Sequence, residues 1–255
     1  TSKVNSTKQQ PREKAHQTVG FFCPVAKMYF CRANIAKRMT ITQLLTPKER
    51  TTQISVAMIW LFHISGALGI LYGNREFFLQ TTPINLFFTL VLLFVNLKNP
   101  DRRMARAAIL AFSLGMLVEI LGVNYGLIFG SYSYGENLGV KILGVPVLIG
   151  ATWVMLSFIT GAMGDALFRN NKLLAAISGA VLMVLIDLVI EPVAPIFDYW
   201  TFTEHVAPLS NYIGWFLVAL PIQLGVQYWI REKEYTFSAH LVLVHFLFFG
   251  VFALQ

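Results

Sequence analysis

Seven apolar segments constrain the fold of this chain more than any other feature of its sequence. They lie near residues 54–72, 83–97, 107–129, 142–164, 173–196, 212–230 and 238–254. A helix needs about 20 apolar residues to cross a bilayer, and only the second segment is clearly short of that. The chain is 13% charged, whereas a soluble domain is about a quarter charged. The sequence therefore predicts an all-α polytopic membrane protein, a bundle of about seven transmembrane helices.

The net charge of +7 comes from the N-terminal segment and not from the apolar region. Residues 1–38 carry eight Lys and Arg residues and one acid, Glu13, whereas bases and acids balance in the remainder. The basic composition therefore gives no indication of nucleic-acid binding. We interpret 1–38 as a disordered basic tail or a mis-called start, and 39–255 as a single transmembrane domain. Cys23 and Cys31 both lie in the tail and match no metal-binding spacing.

The loop charges predict the orientation of the bundle. With the N-terminus inside, the inner loops hold ten Lys and Arg residues, whereas the outer loops hold only Arg75 and Lys141. Cytoplasmic loops carry such an excess of positive charge. We therefore predict a multi-pass protein of the plasma membrane with its N-terminus in the cytoplasm.

Three acids lie inside the apolar segments. Asp187 and Glu191 are four residues apart, so a helix places both on one face, and Glu119 lies in another segment. An ionisable group at membrane depth costs at least about 2.5–3.5 kcal/mol, which makes such groups candidates for function. The alternative is that they hold helices together by hydrogen bonds. The predicted orientation places the pair in the outer half of the membrane, where Pro192 disrupts the helix.

Aromatic residues in the outer loops have two possible roles. Taken singly, such residues are typical of the aromatic belt at a membrane interface. Taken together, they could contribute to a site with the three acids. No metal motif, phosphate-binding loop or Schiff-base lysine in the seventh segment is present in the sequence. We therefore expect neither a metal nor a cofactor.

Read in order, these motifs resemble those of the CruF-type carotenoid 1,2-hydratase family. The resemblance covers roughly residues 54–230 and is strongest in the ordered set of motifs 119–134, 138–153, 187–194, 198–200 and 208–216. It implies addition of water across the terminal C1=C2 double bond of a carotenoid ψ-end, which yields a tertiary alcohol. It implies no redox cofactor. The expected partners are a carotenoid, water and the lipid bilayer, together with other enzymes of the carotenoid pathway.

The chemistry of alkene hydration assigns roles to these residues. Protonation of the alkene needs a positioned acid, and close carboxyl groups can divide the roles of acid and base. We predict Asp187 or Glu119 as the proton donor and Glu191 as its partner. Aromatic faces would stabilise the resulting cation, and Asn211 would orient water. The predicted substrate-binding residues are Tyr132, Tyr134, Trp153, Asp198, Tyr199, Trp200, Asn211 and Trp215.

Other classes of function compete with hydration. An ion-coupled transporter would also use buried acids, but no internal repeat is evident and the acids cluster toward one leaflet. A non-catalytic lipid-binding or assembly subunit is a second alternative. Another isoprenoid-modifying enzyme, such as a prenyltransferase or cyclase, is a third.

Overall fold

A computed structural model describes Thr1 and residues 39–254 of the chain. The interpretation of residues 1–38, including the two cysteines, falls outside these residues, and the single domain at 39–255 stays a prediction. Within residues 39–254 the chain forms nine α-helices and two short two-stranded β-ribbons. Six of these helices are long and apolar enough to cross a bilayer. The prediction of an all-α polytopic membrane protein is therefore confirmed.

The helices follow the predicted apolar segments. Two short helices, α1 (Ile41–Leu45) and α3 (Arg75–Gln80), flank the first long one. The helices of spanning length are α2 (Arg50–Tyr72), α5 (Arg102–Tyr125), α6 (Val147–Leu167), α7 (Lys172–Ile190), α8 (Leu209–Trp229) and α9 (Thr236–Ala253). The second predicted segment forms α4 (Thr82–Asn96), which has only 15 residues. Six spans and one shorter apolar helix thus stand where about seven spans were expected.

The two helices that carry the acids end earlier than predicted. Helix α5 stops at Tyr125 because Gly126 adopts a left-handed φ of +67°, which a residue without a Cβ tolerates. Helix α7 stops at Ile190, and Pro192 has no N–H with which to continue it. The prediction that these segments continue to residues 129 and 196 was wrong. Apolar composition alone does not distinguish a helix from the apolar turns that follow it.

A short antiparallel ribbon joins the two outer loops. Strand β1 (Tyr132–Tyr134) pairs with β4 (Trp200–Phe202), so that Tyr132 lies opposite Phe202 and Tyr134 opposite Trp200. Because side chains alternate along a strand, these four side chains share one face of the ribbon. A second ribbon pairs β2 (Lys141–Ile142) with β3 (Val145–Pro146) directly before α6. The sequence did not predict these ribbons, since each strand has only two or three residues.

Helix α6 forms the centre of the bundle. Most of its residues are buried, whereas most residues of α2 are not. It contacts α4, α5, α7, α8 and α9. Small residues permit this packing: a side chain at Gly164 would overlap the carbonyl oxygen of Ala175 on α7, and one at Gly115 would overlap the Trp153 ring. Helix α6 therefore positions residues that face every neighbouring helix.

The basic residues of the predicted inner loops and the three buried acids lie toward opposite ends of the bundle, as the predicted orientation requires. Lys48, Lys98 and Arg169, from three different segments, line one polar cavity. They belong to the loops predicted to face the cytoplasm, whereas the three acids lie in the outward halves of their helices or just beyond. The orientation itself stays a prediction.

The contact between α6 and α7 yields a test of the packing. Replacing Gly164 with Ala should lower the free energy of unfolding by about 1–3 kcal/mol, because a methyl group there overpacks against the α7 backbone. Gly250→Ala is the matched control, since a side chain on that helical glycine meets no atom within 4 Å. Thermal unfolding in detergent micelles measures both variants. Equal stability of the two would contradict the close approach.

Candidate active site

The acid pair lies at the outer end of α7. Asp187 and Glu191 are 2% and 9% exposed, and both face Asn211 at the start of α8. The Asn211 Nδ2 group donates to Asp187 Oδ2 at 2.8 Å and to Glu191 Oε1 at 3.2 Å. Trp200 of β4 donates its indole N–H to Glu191 Oε2 at 3.2 Å. One amide thus links the two acids, and a second donor holds Glu191.

Glu119 of α5 has a separate set of donors. The hydroxyl groups of Tyr132 and Tyr134 donate to its Oε2 at 2.5 and 2.7 Å. The indole N–H of Trp153 on α6 donates to Oε1 at 3.1 Å. Both oxygens therefore accept hydrogen bonds, an arrangement suited to an ionised carboxylate, which can only accept. The ribbon places both tyrosines because they alternate with Ser133 along β1.

All three acids line one small chamber. Its volume is about 50 Å³, which exceeds the roughly 10–15 Å³ that a cavity needs to hold a water molecule. Glu119 thus faces the same space as Asp187 and Glu191, although it comes from a different helix. The predicted residues that also line the chamber are Tyr132, Tyr134, Trp153, Trp200, Asn211 and Trp215.

Aromatic rings form the walls of the chamber. Trp153 and Trp215 stack with their ring centroids 4.2 Å apart and their planes inclined by 10°. Phe129 packs beside Trp215, and Phe202 beside Tyr132. The sequence analysis did not select either phenylalanine. Phe202 could have been found from strand alternation, because it lies two residues after Trp200.

The surroundings keep the two tyrosines protonated. Burial, together with the charge of the adjacent Glu119, raises the pKa of Tyr132 and of Tyr134 above the usual tyrosine value. Both phenols therefore act as hydrogen-bond donors at neutral pH. Burial also raises the pKa of the Glu191 carboxyl, which lies one residue beyond the end of α7. This acid thus holds a proton at a higher pH than an exposed glutamate does.

A larger cavity adjoins the chamber. Its volume is about 470 Å³, within the usual range for sites that bind small molecules. Trp200, Ile190, Ile149, Thr152 and Leu156 line both spaces and form the boundary between them. The remainder of its lining is mainly apolar and comes largely from α2, α4 and α9. The arrangement places an apolar space directly beside three acids.

Two predicted substrate-binding residues lie outside the chamber. Tyr199 lines the larger cavity, and its hydroxyl lies 3.3 Å from Thr82 Oγ1. Asp198 lines neither space; its Oδ2 accepts a hydrogen bond from the Glu136 N–H at 2.8 Å and supports the outer loops. A role for Asp198 in substrate binding stays a prediction.

Comparison with known proteins gives this site a biochemical context. A family model described as "Carotenoid biosynthesis protein" matches residues 81–255. The chain belongs to this family. The match includes all three acids and every predicted substrate-binding residue, so the site lies wholly within the family's region. The protein is thus an integral membrane member of a carotenoid biosynthesis family.

One relative narrows the context further. The chain is 28% identical over 132 residues to the bisanhydrobacterioruberin hydratase of Haloarcula japonica. The aligned region covers 46% of this chain and 42% of the relative. The chain thus spans less than half the length of the curated relative that it matches. This similarity supports the hydratase-type family that the motifs predicted. No solved structure matches the chain.

The shared donor of the acid pair provides a test of the site. Asn211→Leu should lower the free energy of unfolding by about 1–3 kcal/mol, because two buried carboxyl groups lose a donor. In a D187N/E191Q background the loss should be smaller, since the new amides carry donors of their own. Thermal unfolding measures both, with Asn170→Leu, an exposed site, as the control. An equal loss in both backgrounds would contradict the shared hydrogen bond.

Proposed function

We propose that this protein is a carotenoid 1,2-hydratase. It adds water across the terminal C1=C2 double bond of a carotenoid ψ-end and forms a tertiary alcohol. The observation that carries this proposal is the position of three carboxyl groups around one small chamber beside a large apolar cavity. The carotenoid biosynthesis family and the hydratase relative support the choice of substrate and reaction.

The larger cavity suits the polyene, and the chamber suits the water molecule that reacts with it. The larger cavity is mostly apolar and accommodates a segment of polyene next to its reacting end. The chamber accommodates water, because carboxyl, phenol and amide groups provide hydrogen-bond partners there. The boundary at Trp200 and Ile190 is where the double bond meets the acids.

Asp187 is the proton donor in this proposal. Its Oδ2 accepts from Asn211, whereas its Oδ1 has no hydrogen-bond partner among the described residues and is free to carry the proton. Both oxygens of Glu119, by contrast, already accept hydrogen bonds. The π electrons of the alkene take the proton from Asp187 at C2, which leaves a tertiary cation at C1 and a carboxylate on the aspartate.

The aromatic walls stabilise that cation. A cation over the face of an indole gains about 2 kcal/mol or more when it is desolvated. Trp153 and Trp215 both line the chamber, and their stacking leaves one face of each indole available without providing a strong nucleophile. Glu119 adds a negative charge that its three donors hold in place. Preorganised charge of this kind favours the transition state over the neutral substrate.

Glu191 completes the cycle as the base. A water molecule in the chamber forms the C–O bond at C1, and its excess proton passes to the Glu191 carboxylate. The Asn211 amide joins Glu191 to Asp187, which keeps the two carboxyl groups close enough to return the proton through a water molecule. Alkene and water are consumed, one alcohol forms, and neither a metal nor a redox cofactor takes part.

Expression in a carotenoid-producing bacterium tests the reaction. In cells that accumulate lycopene or γ-carotene, we expect a product heavier by one water, detected by chromatography and mass spectrometry. A gain of a five-carbon unit would instead indicate prenyl transfer. Unchanged carotenoids together with proton flux in vesicles would favour transport. We propose further that the protein acts in the plasma membrane, alongside other enzymes of the carotenoid pathway.

Neutral substitutions of the acids test the assigned roles. D187N and E191Q should each lower the rate of hydration at least a hundredfold, since a positioned acid or base contributes about 10²–10⁴. E119Q should also lower it, because the cation loses a fixed counter-charge. E204Q, at an exposed acid of the same outer face, is the control and should keep full activity. Full activity in all three acid variants would refute the proposal.

The origin of the new C–H hydrogen gives an independent test. In D₂O the acid at position 187 exchanges its proton for a deuteron and transfers it to C2. The product should therefore keep one deuterium next to the carbinol carbon after the hydroxyl group is back-exchanged in H₂O. Mass spectrometry and NMR detect this label. A product without carbon-bound deuterium would exclude protonation of the alkene by an exchangeable acid.

A further inference from the structure

The larger cavity is mainly apolar, and its polar lining includes two histidines and an asparagine besides Trp200 and several hydroxyl-bearing residues. These three are His63 of α2, His245 of α9 and Asn85 of α4. The rings of the two histidines lie 6.2 Å apart between centroids. None of the three belongs to the chamber that contains the acids. The hydration proposed for the chamber uses none of these three side chains.

The hydrogen bonds of the histidines define what they offer to a ligand. His63 Nδ1 lies 2.7 Å from the Ile59 carbonyl oxygen, and His245 Nδ1 lies 2.7 Å from that of Leu241. A carbonyl oxygen can only accept, so Nδ1 donates in both rings. In a neutral imidazole the other nitrogen is then an acceptor. Each histidine therefore presents Nε2 as a hydrogen-bond acceptor.

Asn85 contributes a third polar group. Its Oδ1 is buried and has no hydrogen-bond donor among the described residues. A buried acceptor without a partner is costly, and inside a membrane the bilayer supplies no replacement. The two histidines and Asn85 thus provide acceptors from three different helices within one cavity. A ligand that carries a hydrogen-bond donor can pair with one of these acceptors.

We propose that this trio binds a hydroxyl group of those isoprenoid substrates that carry one, at a point away from the reacting double bond. The proposal rests on the proposed function, because that function places an isoprenoid in the cavity. A hydroxyl group fits, since it donates to one of these acceptors and its oxygen can accept from the Asn85 amide, whereas a carbonyl or ether oxygen can only accept. His63 and His245 lie near the middle of their helices, whereas Asp187 lies near the outer end of its own. The hydroxyl therefore lies on the membrane-centre side of the reacting bond.

A comparison of three ligands tests the hydroxyl site without any substitution. The probes are farnesol, farnesyl methyl ether and the hydrocarbon farnesene, each with the terminal double bond that the chamber requires. Binding to the full chain in lipid nanodiscs is followed by tryptophan fluorescence, since Trp200 lines both spaces. We expect farnesol to bind about three- to tenfold tighter than either other probe, the effect of one neutral hydrogen bond. Equal affinities for all three would overturn the proposal.

Substitutions then assign the preference to the trio. H63F and H245F should each reduce the preference for farnesol over farnesene toward unity, while H245Q, which keeps an acceptor, should retain part of it. H240F is the matched control, because His240 is on the same helix but does not line the cavity. A preference unchanged in H63F and H245F would refute the assignment. Failure of the wild-type protein to bind any probe would instead count against the proposed function itself.

Discussion

Hydrogen bonding to buried carboxyl groups is the interaction on which this structure depends. A buried acid without partners is strongly destabilising, so each acid needs donors from another part of the chain. Asn211 reaches both Asp187 and Glu191, while the ribbon and α6 supply the donors to Glu119. Satisfying the three acids thereby joins α5, α6, α7 and α8 at their outer ends. The same contacts that hold the bundle together create the chamber.

The division into a small chamber that contains the acids and a large apolar cavity follows from this arrangement. The acids and their donors occupy one end of the bundle and enclose a chamber of about 50 Å³. The proposed polyene would occupy an apolar space of its own, separated from the acids by side chains such as Trp200 and Ile190. The proposed hydration needs both, because a cation must meet one water molecule and be protected from every other nucleophile.

The acids of the site could be identified from the sequence, whereas the side chains that surround them could not. Asp187 and Glu191 could be paired from their spacing alone, since four residues make one helical turn. Asp198 and Tyr199 lie in the same loop as Trp200, yet only Trp200 reaches the chamber. A loop sequence does not reveal which side chains a short strand turns inward. The phenylalanines of the chamber were missed for the same reason, because an apolar wall residue resembles any other apolar residue.

The sequence by itself determined the class of fold and the presence of ionisable groups within the membrane. Length and hydropathy specify spanning helices because a bilayer leaves the backbone few alternatives. Only the tertiary structure decided that Glu119 faces the acid pair, and that His63 and His245, 182 residues apart in sequence, share a cavity. Whether residues on different helices share a space depends on which faces of those helices point toward each other. The rotation of each helix about its own axis is set by small residues at the helix–helix contacts and by the ribbon of three-residue strands. Neither feature produces a periodic pattern in the sequence.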